Sequence, residues 1–130
     1  LASRLEGLTK PYRVTVMVSG ETAERLDGRF LLRELDRVRV KGKDRPVGVH
    51  ELVGLAEEVD PARSQAVQSF EAGLARYRAR DWDGSEEAFR ETLGLDPEDG
   101  PAAVYLERVR VLRETPPPST WDGVTVFDSK

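Results

Sequence analysis

Basic residues alternate with valines near the middle of the first half of the chain. Residues 37–45, RVRVKGKDR, place every basic side chain at an odd position and Val38 and Val40 at even positions. Successive side chains of a β-strand point to opposite faces, so this alternation predicts a strand with one cationic and one apolar face. Spacing alone favours a solvated edge strand whose charges discourage aggregation. The strand runs into residues 41–44, KGKD, a turn that an anion such as a polyphosphate can approach.

The composition predicts a soluble chain and excludes several classes of site. Of the 130 residues, 38% are hydrophobic and 34% are charged, which fits a modest core. There is no cysteine, so disulfides and thiolate metal sites are excluded, and a single histidine, His50, excludes a multi-histidine site. No apolar run approaches the roughly 20 residues of a membrane span, and no signal peptide is present. We therefore expect a cytoplasmic location without membrane contact, although upstream sequence could anchor a longer parent protein.

Charge is distributed unequally along the chain. Residues 1–54 carry a net charge of +3 and residues 55–130 a net charge of −7. This change predicts a boundary near residues 55–62. Together with the helical and proline-rich patterns of the second half, it divides the chain into residues 1–54, a linker at 55–63, a helical segment at 64–114 and a C-terminal segment at 115–130. The positive half suits an anionic ligand. The acidic half, and the lack of aromatic residues within the basic stripe, argue against nucleic acid as a partner.

The first half has the pattern of a small α+β unit. The predicted order is helix 1–8, strand 13–18, short helix 22–26, strand 30–40 and strand 46–53. Pro11 should end the first helix, Ser19 should cap the second, and residues 41–45 should form a hairpin turn. The sequence lacks an initiator Met and begins with a helical pattern, so we expect the C-terminal part of a longer protein. A unit of this size is too small to enclose a catalytic site alone.

Four stretches of this half resemble the C-terminal third of class III nucleotide cyclase catalytic domains, which have a ferredoxin-like fold. The stretches are LASRLEGL at 1–8, VMVS at 16–19, FLLRELDRVRVKGK at 30–43 and ELVG at 51–54. In that family an Asn-x-x-x-Arg helix contacts the nucleotide, and its Arg stabilises charge on the α-phosphate. Arg4 matches this Arg, and the Asn would lie one residue before Leu1. A Val-Lys-Gly-Lys turn binds the triphosphate through its first Lys, which corresponds to Lys41.

The chemistry of these side chains agrees with the roles that the resemblance implies. A guanidinium group offers a planar set of donors to phosphate oxygens, and a Lys beside a Gly is a mobile, unshielded charge. Alternatively, Arg4 is a surface residue paired with a carboxylate. Lys43 is interpreted as electrostatic support, while Arg37, Arg39 and Arg45 are expected to be solvated. His50 is expected to have a structural role.

The resemblance also implies what residues 1–54 lack. In the family two Asp residues bind two metal ions and a Lys/Asp pair selects adenine, and none of these positions falls within the matched stretches. We therefore expect an intact homodimeric parent that converts ATP to cyclic AMP with Mg²⁺ or Mn²⁺, the metal ligands lying outside this chain. GTP as substrate remains open because the base-selecting pair is outside as well. The chain alone is expected to be inactive, since the 3′-hydroxyl lacks metal activation.

The second half shows helical periodicity. Gly73, Tyr77, Trp82, the Ala88-Phe89 pair and Pro97 resemble a tetratricopeptide repeat, a helix–turn–helix of 34 residues. Arg80 and Ser85 depart from that pattern. The aromatic residues are predicted to form core, and a protein-interaction role for the segment is the alternative.

Further elements are predicted after the repeat-like segment. A third helix is predicted over 102–113, and the helices should pack on each other or on a neighbouring cyclase unit. Residues 115–118, TPPP, should form a stiff connector. Residues 121–127 should form a turn and a short strand, with Trp121 and Phe127 docking onto the body.

Overall fold

The structure, a computed structural model, describes residues 8–26, 28–40 and 45–127. These residues form five helices and four strands. In chain order the elements are α1 (8–12), β1 (Met17–Ser19), α2 (Gly20–Arg25), β2 (Phe30–Val40), β3 (Val47–Leu55), α3 (Pro61–Arg78), α4 (Trp82–Leu95), α5 (Gly100–Glu114) and β4 (Thr125–Phe127). The predicted α+β class is confirmed. The ferredoxin-like assignment and the domain boundaries remain predictions.

The four strands form one mixed sheet in the order β1-β3-β2-β4. β3 pairs antiparallel with both β1 and β2, which agrees with the predicted hairpin between β2 and β3. β4 pairs parallel with the end of β2, matching Val38 with Thr125 and Arg39 with Val126. The C-terminal strand therefore lies beside the part of β2 that leads into residues 41–44.

A β-bulge divides β2 into two parts with opposite side-chain alternation. Glu34 pairs with His50 and Asp36 with Val49, so Leu35 is the extra residue. Up to and including the bulge the buried residues are odd-numbered, Arg33 and Leu35; after it they are even-numbered, Asp36 and Val38. An inserted residue reverses which side chains face the core. The bulge thereby directs Arg37 outwards, as the alternation of basic residues predicted.

Short polar side chains cap the N-termini of α2, α3, α4 and α5. The predicted cap, Ser19, accepts a hydrogen bond from Thr22 N at 3.1 Å and begins α2. Asp60, Asp81 and Asp99 cap α3, α4 and α5 in the same way. Each cap satisfies a backbone N–H that the first helical turn leaves without a partner.

The helices α3 and α4 form an antiparallel hairpin. Ser69 Oγ lies 2.7 Å from Thr92 Oγ1 near one end, and Arg76 donates to the carbonyl of Gly84 near the other. Ser69, the earlier residue of α3, therefore contacts the later part of α4, and Arg76, near the end of α3, contacts the start of α4. This geometry agrees with the predicted helix–turn–helix, while assignment to the tetratricopeptide family remains a prediction.

The helices pack on the chain's own sheet as well as on each other. The Tyr105 hydroxyl of α5 donates to the carbonyl of Leu35 in β2 at 2.7 Å. The shared core contains residues from both sides of the predicted linker at 55–63. Its buried members are Leu8, Tyr12, Leu35, Val38, Val49, Phe70, Leu74, Tyr77, Phe89, Ala102, Tyr105 and Val109.

The proline-rich connector is held against the helical hairpin by Arg80. Its guanidinium donates to the carbonyls of Pro117 and Pro118 and lies 5.4 Å from the centre of the Trp121 ring. Trp121 also contacts Tyr77 edge to face, with 5.5 Å between ring centres. Docking of Trp121 onto the body, predicted from the sequence, is confirmed.

The first predicted strand differs from the observed one. Residues 13–18 were expected to be extended, but β1 covers only Met17–Ser19. Arg13 has φ 59, and Val14 N donates to the carbonyl of Thr9 at 3.1 Å. The end of α1 thus closes with a left-handed residue and a backbone hydrogen bond, which occupy residues that propensity assigns to a strand.

Candidate functional site

The two predicted nucleotide-binding residues, Arg4 and Lys41, lie outside the described residues, as does Lys43. The described segments that lead to them are α1 and the end of β2. Of the basic residues flanking the hairpin turn, Arg37 and Arg45 are exposed, as expected. Arg39 is partly exposed, with its guanidinium 3.9 Å from the Asp122 carboxylate.

His50 lies inside the sheet, between Val18 of β1 and Glu34 of β2. Its ring packs near Gly20 and Gly48, where an added Cβ would stand 3.7 Å from the Cε1 atom. The Nδ1 atom is buried and has no hydrogen-bond partner among the described residues. These contacts agree with the predicted structural role of His50.

A buried cluster of charged residues connects the sheet to α5. Arg33, which is 1% exposed, donates to Glu51 at 2.5 and 3.0 Å and to Asp99 at 2.7 and 3.0 Å. Its guanidinium carbon also lies 4.8 Å from the centre of the Phe70 ring. Burial alone would lower the pKa of Arg33, but its hydrogen bonds to Asp99 and the charge of Glu51 raise this pKa above its ordinary value. Arg33 therefore stays charged in the interior.

The Arg33 cluster extends towards the surface through Arg63. Arg63 of α3 lies 3.3 Å from the second carboxylate oxygen of Glu51 and 3.5 Å from Asp96. Asp99 also accepts from Ala102 N and so caps α5 while it binds Arg33. The buried carboxylates of this cluster are fully engaged by donors of the same chain, as buried charges require.

A second polar cluster, the Asp36 junction, joins four elements and consists of Asp36, Tyr12, Arg108 and Thr125. The carboxylate of Asp36, which is 0% exposed, accepts from the Tyr12 hydroxyl, from Arg108 Nη1 at 3.0 Å and from Thr125 Oγ1 at 2.6 Å. Its other oxygen accepts from Arg37 N at 2.7 Å. The junction thus connects α1, β2, α5 and β4 through one buried side chain.

The pKa values of Tyr12 and Arg108 are raised, so both side chains remain hydrogen-bond donors to Asp36. Burial raises the pKa of Tyr12, and the neighbouring Asp36 charge raises it further, so the phenol remains a donor. Burial opposes the charge of Arg108, but Tyr105, Tyr12 and Asp36 raise its pKa above the ordinary value. Arg108 also lies over the rings of Tyr12 and Tyr105, at 5.1 and 4.7 Å. Arg108 therefore stays positively charged at neutral pH, and the phenols of Tyr12 and Tyr105 stay protonated.

Neither cluster was predicted from the sequence. Arg33 and Asp36 lie within a strand pattern whose apolar residues, Leu35 and Val38, give the stronger signal. Two opposite charges three positions apart in a regular strand lie on opposite faces, so the sequence contains no signal that both are buried. Their partners Asp99 and Arg108 come from distant parts of the chain, which no local pattern connects to β2.

The described residues contain no metal site and no helix suited to crossing a bilayer. Groups of three or more His, Asp or Glu side chains that could hold a cation are absent from the described ranges. None of the described helices has the length and apolarity needed for a membrane span. A groove of about 330 Å³ beside Trp121 is lined by Val111, Leu112 and Val124.

Comparison with known proteins connects the chain to nucleotide cyclases. No family model matches the sequence, and no solved structure matches the chain. One curated protein with a cyclase name is similar to it. This protein is the "Adenylate cyclase, terminal-differentiation specific" of Dictyostelium discoideum, which is 27% identical over 112 residues. The chain therefore contains a cyclase-related region.

The similarity extends over most of the chain but over little of the Dictyostelium protein. The aligned stretch covers 83% of this chain but only 5% of the Dictyostelium protein. A share of 83% cannot be contained in residues 1–54, so the similarity extends into the helical half. The chain thus corresponds to a small part of that protein, and the similarity includes residues on both sides of position 54.

Proposed function

We propose that the chain is part of a class III adenylate cyclase that makes cyclic AMP and pyrophosphate from ATP in signal transduction, with the C-terminal part of the catalytic domain in residues 1–54. The observation that carries this proposal is the similarity to a protein named adenylate cyclase over 83% of the chain. The match of Arg4 and Lys41 to the cyclase pattern supports it, as does the positive charge of residues 1–54. A cytoplasmic location and a homodimeric parent belong to the same proposal.

Arg4 and Lys41 have separate roles in the proposed reaction. The 3′-oxygen of ATP forms a bond to the α-phosphorus, and the bond from this phosphorus to the oxygen bridging the β-phosphate breaks. Pyrophosphate leaves with the bonding electron pair, and the 3′-hydroxyl proton passes to a base. Arg4 donates to α-phosphate oxygens as their charge develops, while Lys41 binds the triphosphate before and during reaction.

Mg²⁺ or Mn²⁺ is the cofactor that the proposal implies, and the described residues do not fit it. The buried carboxylates of Asp36, Glu51 and Asp99 are each held by an Arg guanidinium at 2.5–3.0 Å. A divalent cation prefers free carboxylate and water oxygens, so these groups are unsuitable ligands. The proposal assigns metal binding to residues outside this chain.

Kinetics of the intact cyclase test the proposed roles. Arg4→Ala should mainly lower kcat, by about 10²–10³-fold, because its contact strengthens in the transition state. Lys41→Ala should raise KM for ATP, and the matched control Lys43→Ala should have a smaller effect. An unchanged kcat in Arg4→Ala, or the reverse order for the two Lys variants, would contradict the assignments. The isolated chain should form no cyclic nucleotide from ATP or GTP with either metal ion.

Two alternatives have distinct outcomes in the same experiments. A preference of the parent for GTP would identify a guanylate cyclase with the same roles for Arg4 and Lys41. A parent without any cyclase activity would favour a protein-interaction module built on the helical half. The packing of Phe70, Tyr77 and Tyr105 into the chain's own core disfavours that module, because it leaves these aromatic residues inaccessible to a partner.

A further inference from the structure

The Asp36 junction lies between the segments that lead to the two proposed nucleotide-binding residues. Tyr12, in α1, follows Arg4 by eight residues, and Lys41 follows Asp36 by five. The Tyr12 hydroxyl donates to the Asp36 carboxylate, and both residues are 0% exposed. This buried hydrogen bond therefore connects α1 to β2 at positions that lie close, along the chain, to Arg4 and to Lys41.

Asp36 lies immediately after the bulge, where it determines which side chains at the end of β2 face the core. Its carboxylate occupies the core together with Val38, while Arg37 between them is exposed. A slip of one residue would direct Arg37 into the core and Val38 outwards. The buried hydrogen bonds of Asp36 oppose that slip because a shifted carboxylate would lose its partners inside the protein.

The other donors to Asp36 come from the C-terminal half. Arg108 of α5 donates at 3.0 Å and Thr125 of β4 at 2.6 Å. Thr125 also pairs with Val38 in the sheet, so β4 supports β2 through both backbone and side chain. The helical half therefore contributes directly to the position of the strand that precedes Lys41.

We propose that Asp36 is a positioning residue through which α5 and β4 hold α1 and the end of β2, the two segments that lead to Arg4 and Lys41, at a fixed separation. This inference rests on the proposed function for the nucleotide roles of Arg4 and Lys41. It assigns the helical half a part in cyclase activity without contact with the nucleotide. Weakening the junction should widen the range of distances between the two segments. This displacement should impair both transition-state stabilisation by Arg4 and triphosphate binding by Lys41.

The separation can be measured directly because the chain contains no cysteine. Lys10→Cys and Arg45→Cys introduce two exposed labelling sites, one on α1 and one two residues before β3, next to the segment 41–44 that contains Lys41. Spin labels at these sites report the distance between the two segments by pulsed electron resonance. In the otherwise unsubstituted 130-residue chain we expect a single narrow distance distribution.

Three substitutions weaken the Asp36 junction to different degrees. Asp36→Asn removes the charge, Arg108→Met removes the ion pair, and Thr125→Val removes one hydroxyl donor while keeping the side-chain shape. Each should broaden the distance distribution. Arg108→Lys, which keeps the positive charge, should broaden it less than Arg108→Met. Arg110→Met is the matched control, because Arg110 lies on the same helix but pairs at the surface with Glu107 and Glu114. It should leave the distribution unchanged.

The same substitutions in the intact cyclase give a second readout. Displacement of both segments should lower kcat and raise KM for ATP, reducing kcat/KM by about 10- to 100-fold in Arg108→Met. Rates are compared per folded molecule, well below the unfolding temperature of each variant. A purely structural junction would change the unfolding temperature and leave these normalised constants unchanged, which would contradict the positioning role.

The outcomes separate this inference from the proposed function. Unchanged distance distributions in Asp36→Asn, Arg108→Met and Thr125→Val would overturn the positioning role. If Asp36→Asn does not fold, the milder Thr125→Val decides by the same criterion. Broadened distributions combined with normal kinetics in Lys41→Ala and Arg4→Ala would uphold the junction and overturn the nucleotide roles.

Discussion

Gly73 shows how a single residue fixes the distance between two helices. It lies in the interior of α3, where an added Cβ would stand 2.7 Å from the Phe89 ring of α4. Real Cβ atoms do not approach a ring so closely, so the helices would have to separate. The glycine identified in the repeat-like pattern is therefore required by packing, against its low helix propensity.

Alanine substitution at two glycines should give opposite effects. Gly73→Ala should lower the free energy of unfolding by about 1–3 kcal/mol through overpacking against Phe89. Gly94→Ala, in α4, is the matched control, since among the described residues no atom outside the adjoining residues and the helix backbone lies within 4 Å of its added Cβ. It should raise this free energy by up to about 1 kcal/mol, because Ala is the better helix former. Urea unfolding measures both, and a stabilised Gly73→Ala would contradict the packing argument.

Arg33 is the other residue on which the interior depends. Replacing it with Met would leave Glu51 and Asp99 buried without their cation. We expect Arg33→Met to lower the free energy of unfolding by about 3–5 kcal/mol. Arg37→Met, an exposed position in the same strand, should change it by less than about 0.5 kcal/mol. Equal effects of the two substitutions in chemical unfolding would show that the buried ion pairs contribute little.

At the scale of elements, Arg80 adopts an unusual backbone conformation at the turn between α3 and α4. Its φ of 66° lies in the left-handed region that favours glycine. The side chain compensates by holding the connector through the carbonyls of Pro117 and Pro118. The departure from the repeat pattern at this position therefore has a structural purpose.

Two substitutions separate the backbone strain of Arg80 from its side-chain contacts. Arg80→Ala loses the contacts and keeps the strain, while Arg80→Gly loses the contacts and relieves the strain. The Ala variant should be less stable than the Gly variant by about 1 kcal/mol. Both should speed hydrogen exchange at Trp121 N, which donates to the carbonyl of Pro118. Identical unfolding free energies in the two variants would show that the turn is unstrained.

Most elements were predictable from the sequence, because periodicity and caps are local signals. The strand at 30–40, the cap at Ser19, the helical hairpin and the C-terminal strand all follow from such patterns. The bulge at Leu35 was not predictable, because it depends on the pairing of Asp36 with Val49 across the sheet. The buried charges depend in turn on the bulge, so the sequence could not identify them.

At the scale of the whole molecule, the sequence showed which faces are apolar but not what covers them. The apolar stripe of α3 could pack on a neighbouring helix, a second subunit or the chain's own sheet. The structure places Phe70 and Tyr77 in one core with Leu35 and Val49. This choice depends on contacts between residues far apart in sequence, which local patterns do not encode. The sequence also identified Arg4 and Lys41 only through resemblance, and both remain predictions.

All three tyrosines of the chain lie in this core, which makes alkaline pH a test of the whole fold. Burial raises the pKa of Tyr12, Tyr77 and Tyr105 above the ordinary value of 10.0. The unfolded chain therefore loses phenol protons above pH 10 while the folded chain keeps them. Stability contributed by the neutral phenols is complete below pH 10 and is lost as the pH rises through the folded-state pKa values.

The expected result is a delayed and cooperative tyrosine titration. Tyrosinate absorbance should stay low just above pH 10 and then rise together with the loss of helical circular dichroism. The chain in denaturant is the control and should titrate near pH 10. Appearance of tyrosinate at pH 10 without loss of helix would contradict the burial of at least one of these rings.

The hydrogen bond from Thr125 to Asp36 spans 89 positions of the chain. During synthesis the N-terminal residues leave the ribosome first, so Asp36 emerges long before Arg108 and Thr125. Until then the nascent chain exposes a strand edge and a carboxylate without its final partners. Completion of the sheet therefore has to wait until α5 and β4 have been synthesised, and a chain truncated before residue 108 would present this surface to chaperones and proteases. The hydrogen bonds from Arg108 and Thr125 thus set the length of chain that must be made before the sheet is complete.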